Sequence, residues 1–166
     1  MTNPEITRRP ASESDRLFLL DLYAGVREPE LALTPWTPEQ KHAFVEMQFN
    51  AQTVGYRQAY PQAVHEIVSA GGRDVGRIYW SPDADTLHIL DITIANSSRN
   101  SGIGSHVLRE ILGEADREQK SVTIYVETYN PSLRLFERLG FRATAQDGFQ
   151  LLLKRAPGQQ VQAASE

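Results

Sequence analysis

The stretch from Leu87 to Phe141, centred on the junction from Ile92 to Ser105, constrains the fold more than any other. Ile89, Ile92, Thr93 and Ile94 form an apolar, β-branched run; Ala95 to Gly104 is a short polar turn with glycines at 102 and 104; Val107, Leu108, Ile111 and Leu112 then recur at helical spacing. This predicts strand, loop, helix. Glycines at the helix start remove Cβ atoms where backbone N–H groups have no intrahelical partner, and the positive end of the helix dipole favours an anion there. Arg99 and the amides of Asn100, Ser101, Gly102, Ile103, Gly104 and Ser105 therefore form a candidate phosphate cradle.

Three motifs place glycines at such a junction. A P-loop requires Gly-Lys before Ser or Thr, but Gly104 is followed by Ser105 and His106. A dinucleotide fingerprint fails at its third glycine, where Val107 stands, although Glu127 lies at a distance suited to a ribose contact. Only about 60 residues follow the glycines, too few for a doubly wound domain of ordinary size. The remaining pattern is Arg-x-x-Gly-x-Gly at Arg99 to Gly104, accompanied downstream by Asn130-Pro-Ser-Leu-Arg-Leu-Phe-Glu-Arg-Leu-Gly140-Phe141. Together these blocks resemble the acyl-CoA loop and the Asn…Leu-Tyr-x-x-Leu-Gly-Phe segment of the GNAT superfamily of N-acetyltransferases.

The rest of the chain reads in order as one domain. Ile6 to Arg9 suits a first strand, and Ser12 or Ser14 caps a helix carrying Leu17, Leu20, Leu22 and Tyr23 and ending near Gly25. Glu28 to Pro38 holds three prolines and is expected to be a loop. Thr37-Pro38-Glu39-Gln40 is a capping sequence for a second helix ending near Gly55. Ala63–Ala70 and Val75–Trp80 flank Gly71-Gly72 as a hairpin, and Leu87–Ile94 follows as a third antiparallel strand. A helix from Gly102 to about Glu118 crosses over to a parallel strand at Val122–Glu127. A short helix at Pro131–Leu139 and a final strand pair turning near Gln146-Asp147-Gly148 complete the domain. The expectation is a single α/β domain over residues 1–155, with a mixed sheet of six or seven strands and about four helices, and a frayed tail over 156–166.

Composition narrows the function. A net charge of −4 argues against a general nucleic-acid or anionic-membrane binder, and the absence of cysteine excludes disulfides, a thiol nucleophile and cysteine-ligated zinc. The four histidines, at 42, 65, 88 and 106, have no metal-ligand spacing, so no metal is expected and each reads first as a surface or packing residue. The start of the chain has no apolar signal region and no window is apolar enough to span a membrane, so the expected location is cytoplasmic, as monomer or homodimer.

The resemblance implies an acetyl-CoA cosubstrate and an amine acceptor. In that family the end of the strand before the loop pairs with the pantetheine arm; here those residues are Ile92, Thr93 and Ile94, with the Ile94 amide polarising the thioester. Asn130 by resemblance contacts pantetheine or positions a water, with Ser132 beside it; from the residues alone Asn130 is a helix cap. Phe136 occupies the position of the family's usual tyrosine, so the usual donor of a proton to the departing thiolate is absent there. For the base, Glu127 and Asp91 are the carboxylates nearest the expected splay, with Tyr125 on the face of Glu127 and Tyr56 and Tyr60 on the acceptor side. The missing tyrosine leaves a second reading open: a catalytically degenerate member of the fold that senses acyl-CoA or binds a partner.

Overall fold

The computed structural model describes residues 4–158. It is an α/β layered domain built on one seven-stranded mixed sheet: β1 (Ile6–Pro10), β2 (Val64–Ala70), β3 (Arg73–Pro82), β4 (Thr86–Ile94), β5 (Ser121–Glu127), β6 (Arg142–Asp147) and β7 (Gln150–Arg155), in the order β1-β2-β3-β4-β5-β7-β6. All neighbours are antiparallel except β4 and β5, which the crossover helix α3 (Ile103–Arg117) joins in parallel. α3 and the short α4 (Leu133–Arg138) cover one face. Val107, Ile111, Phe136 and Phe141 pack there against Ile78, Ile89 and Val122. The opposite face carries α1 (Arg16–Leu31) and α2 (Pro38–Ala59), where Leu20, Val45 and Phe49 cover Ile67. The expected tail begins at Ala156, and residues 159–166 of it lie outside the described residues. No described helix is long and apolar enough to cross a membrane.

Two helices run further than their punctuation predicts. α1 passes through Gly25 and Pro29 to Leu31, so part of the expected proline loop is helical. Pro29 lacks the N–H that would bond the Gly25 carbonyl, but that oxygen accepts from Asn96 Nδ2 at 3.4 Å instead. Leu31 is buried in the smaller core, which favours the extra turn. α2 starts with the expected capping box, Gln40 N donating to Thr37 Oγ1 at 3.2 Å and Thr37 N to Gln40 Oε1 at 2.9 Å, but it passes Gly55 to end at Ala59. The β2–β3 hairpin turns on Gly71 and Gly72 at φ +59° and +82°, the left-handed values such turns need.

The register of β4 is irregular at one place. Tyr79 faces Asp91 and Trp80 faces Ile89, so Leu90 is an extra residue, a bulge that resets the alternation of the strand. Leu87 and Ile89 before it, and Ile92 and Ile94 after it, all pack on the α3 side. His88, Asp91 and Thr93 are thereby set on the α1/α2 side. Pairing with β5 runs from Thr86–Ser121 to Ile89–Ile124 and stops. β4 continues against β3 as far as Ile94–Gly76, and β5 continues against β7 as far as Glu127–Gln150. Two parallel strands therefore diverge from a common apex at Ile89 and Ile124.

Two predictions follow from these contacts. A Cβ on Gly76 would stand 2.4 Å from the Thr93 carbonyl oxygen and 2.8 Å from Ile94 Cδ1, so Gly76→Ala is expected to destabilise the fold by about 1–3 kcal/mol, the usual range for overpacking. A wild-type midpoint in urea unfolding would contradict this. Asp15 joins β1 to α1, receiving Arg9 at 2.8 and 3.0 Å and the Ser12 amide at 2.8 Å. The Arg9 hydrogen bonds, then that of Ser12, hold its carboxyl down at about 2. Because the folded state favours the carboxylate, this stabilisation is present above pH about 4 and lost as pH falls toward 2. The gap in melting temperature between wild type and Asp15→Asn is expected to close between pH 5 and 2, read by thermal scans at each pH.

Candidate functional site

The diverging strands make a cleft whose wall is backbone. Ala95 N donates to Val75 O at 2.7 Å, so by strand alternation the N–H groups of Thr93 and Asp91 also point at β3. Those of Ile92 and Ile94 point the other way, into the cleft, where β5 no longer pairs. The Ile94 carbonyl on that side is met by Arg99 Nε at 3.3 Å.

At the open end of the cleft stands the glycine loop. Asn100 and Gly102 both take left-handed φ, +61° and +82°, which turns the chain sharply into α3. Ile103 is buried and anchors the helix start, while nothing lies within 4 Å of the place a Gly102 Cβ would occupy. The first amides of α3 are thus open on the cleft side, beside the exposed Arg99 and Asn100. Asn96, held to Gly25, ties the loop to α1, and a groove lined by Gly25, Val26, Pro29, Asn96 and Arg99 runs between them.

On the α1/α2 side the cleft is floored by side chains. Asp91 accepts from Arg77 Nε at 2.7 Å and from Thr93 Oγ1 at 2.9 Å. Arg77, only 5 % exposed, also donates to Gln52 Oε1 at 2.9 Å, so Asp91 is the counter-ion of a buried guanidinium. The Tyr56 hydroxyl donates to the carbonyl of the bulged Leu90 at 3.1 Å, and burial, then Asp91, pushes its pKa up to about 12. His65 stacks on Tyr79 with centroids 4.3 Å apart and is lowered to about 4 by burial, then by the charge of Arg77. Nearer the apex, His88 bonds Thr123 Oγ1 through Nδ1, stacks on Tyr60 at 5.6 Å and meets Tyr125 edge-on at 5.7 Å.

The other residues singled out from the sequence lie on the β5 side. Glu127 ends β5 on the face of Tyr125, and its carboxylate accepts from Asn130 Nδ2 at 3.5 Å. Asn130 Oδ1 accepts from the Ser132 amide at 2.7 Å and so shapes the turn into α4. Phe136 is 3 % exposed and edge-on to Phe141 at 5.5 Å, a core contact. Among the described residues no group of three or more His, Asp or Glu is placed to hold a metal ion. Sequence reasoning did not single out Arg77, and it read His88 as a surface or packing residue. Alternation in Leu87-His88-Ile89 sets His88 opposite the core face, but its partners Thr123 and Tyr125 depend on a β4–β5 register that no local pattern supplies.

The described chain has close structural counterparts. The PaiA N-acetyltransferase from Thermoplasma acidophilum, solved with coenzyme A, superposes with a TM-score of 0.70 at 15% identity, covering 92% of this chain and 99% of that one. A GNAT family acetyltransferase from Elizabethkingia anophelis with acetyl-CoA bound gives 0.59 at 17%, covering 91% and 97%. The ribosomal-protein-S18-alanine N-acetyltransferase from Escherichia coli gives 0.61 at 14%, covering 98% and 97%. No curated protein matches the sequence. The model of the acetyltransferase (GNAT) family matches residues 17–141, most of the chain, and on this match the protein belongs to the GNAT family of acetyltransferases.

Proposed function

We propose that this protein transfers an acetyl group from acetyl-CoA to a primary amine of a small molecule or protein. The observation that carries the reading is the cleft itself: outward amides of Ile92 and Ile94 that lack a partner strand, leading from the glycine loop to a closed apex. An extended arm bearing amides pairs with such an edge as an added strand does, and a diphosphate at one end suits the free amides of Gly102 to Ser105 beside Arg99. With the phosphates at the loop, the arm runs down β4 and its acyl end lies toward the apex. An amide N–H of Ile92 or Ile94 aimed at the thioester oxygen stabilises the charge that develops there.

The amine approaches from the α1/α2 side. Its lone pair attacks the thioester carbon, the C–N bond forms, the C–S bond breaks, CoA leaves as a thiolate, and the nitrogen sheds a proton to water to leave the neutral amide. A primary amine is mostly protonated near neutral pH, so its proton must first be removed. Asp91 is committed to Arg77, whereas Glu127 stands at the mouth with one long contact, placed to draw a cationic amine inward. Asn130, turned into the start of α4, holds Glu127 in that place. Phe136 has no hydroxyl to serve as the customary tyrosine donor, and thiolate protonation falls to water or to the exposed Tyr125.

Thiol release from acetyl-CoA with a panel of primary amines tests the reading. Turnover supports it; thermal stabilisation by CoA with no turnover across the panel favours a degenerate acyl-CoA sensor instead. Gly104→Val is expected to leave the protein folded and to weaken CoA binding at least tenfold in calorimetry, because the new methyl groups crowd the Ile94 side chain at the cleft edge, where a Cβ already stands 3.7 Å from Cγ1. Gly102 is a poorer test, since its φ of +82° makes any substitution strained on its own. Asp91→Asn is expected to lower the melting temperature by leaving Arg77 underpaired, at a cost of about 3 kcal/mol or less. Glu127→Gln is expected to leave stability and CoA affinity unchanged and to raise KM for the amine. A Glu127→Gln enzyme with wild-type kinetics would remove this residue from the account.

A further inference from the structure

We propose that His88 is the proton acceptor of the reaction, taking the proton of the incoming ammonium at Nε2, directly or across one water. The inference rests on the acetyltransferase reading and assigns a role inside it. Three observations carry it. His88 sits one residue before the last β4–β5 pair, Ile89–Ile124, at the closed end toward which the acyl group points. Its Nδ1 is bonded to Thr123 Oγ1, and with the proton on Nδ1 the Nε2 lone pair is left free. Nε2 makes no hydrogen bond among the described residues, and it is not sealed from solvent as the Nε2 of His65 is.

The surroundings suit the task. Tyr60 from the end of α2 stacks on the ring and Tyr125 from β5 meets it edge-on, so the imidazole is fixed in one plane and backed by apolar surface. The charged groups near it are few. Asp83 in the β3–β4 turn is the one that acts on its titration, and Lys154 on β7 lies opposite Thr123, a strand further away. Burial lowers the pKa of His88 and Asp83 partly opposes it, so the ring is neutral at pH 7 and able to accept a proton. The two carboxylates are less suited. Asp91 is bound to Arg77 and Thr93, and Glu127 stands three residues beyond the apex, about 10 Å along the strand, at the mouth.

The proton balance is simple. The ammonium gives one proton to Nε2, which the imidazolium passes on to solvent; the neutral amine attacks the thioester, and as the C–S bond breaks the nitrogen loses its second proton through water, which leaves the neutral amide and protonates the departing thiolate. Thr123 is a positioning residue: its hydroxyl holds the ring in place, accepting from Nδ1–H in the tautomer that the proposal requires.

The test compares wild type, His88→Gln, Thr123→Val and Glu127→Gln between pH 5 and 9, with thiol release from acetyl-CoA and a panel containing phenethylamine, 1,4-diaminobutane and an alanine-terminated peptide. His88→Gln is expected to lose at least a hundredfold in kcat, with KM little changed, and to lose the wild-type fall in rate on the acid side. Thr123→Val is expected to keep that fall but move its midpoint. CoA affinity by calorimetry should stay within threefold for all three variants. An acid-side fall that persists in His88→Gln, or that vanishes in Glu127→Gln, overturns the assignment. If no amine in the panel turns over, the acetyltransferase reading fails by its own test, and imidazole nitrogen NMR of the wild-type protein decides the geometry separately. A proton on Nδ1 and a free Nε2 whose titration shifts when acetyl-CoA is added uphold the placement of His88 beside the acyl end; a proton on Nε2, or a titration that acetyl-CoA leaves unmoved, overturns it.

Discussion

The structure depends on the place where one strand pair ends. β4 and β5 hold four paired residues each and then part, because Leu90 is inserted as a bulge while β3 keeps its hold on one strand and β7 on the other. Leaving the amides of Ile92 and Ile94 without a strand has a cost that water meets only in part. A ligand with its own amides would recover the ladder, and under the proposed function the backbone is the recognition surface. Its geometry is kept by packing rather than by polar side chains: Ile92 and Ile94 press on the α3 core, and Gly76 permits β3 to approach β4 more closely than any Cβ allows.

The two ends of the cleft are built by different physics. At the loop, left-handed Asn100 and Gly102 aim the first turn of α3, and the Asn96 side chain caps the carbonyl that Pro29 leaves open in α1. The Asn96–Gly25 hydrogen bond thus links the proposed phosphate cradle to α1. Toward the apex the rings meet in two groups, His65 of β2 and Tyr56 of α2 on Tyr79 of β3, and Tyr60 and Tyr125 on His88 of β4, with the Arg77–Asp91 pair beside Tyr79. Removing either charge leaves the other underpaired in low dielectric, so each depends on its partner.

Much of this was legible in the chain. The strand–loop–helix junction, the Gly71-Gly72 hairpin, the Thr37 capping box and the crossover are local patterns, and each is present where the residues put it. The boundaries that moved did so for tertiary reasons. Gly25 and Pro29 read as stops, but a carbonyl partner from a loop about 70 residues away and the burial of Leu31 keep the helix going. The bulge at Leu90 has no local signature, since it appears only when the Tyr79–Asp91 and Trp80–Ile89 pairs are set side by side. That is also why the carboxylates were easy to single out and His88 was not: charge is written in the sequence, whereas the neighbours of a histidine on a sheet are set by register.

The central claim is that unpaired amides of β4 hold the CoA arm, and amide hydrogen exchange read residue by residue tests it most directly. In the free protein Ile92 and Ile94 are expected to exchange fast and Asp91 and Thr93, bonded to β3, slowly. Saturating acetyl-CoA should slow Ile92 and Ile94 at least tenfold and leave the β3-bonded amides as they were. Binding by calorimetry with no protection at Ile92 or Ile94 would contradict the account and put the cosubstrate elsewhere.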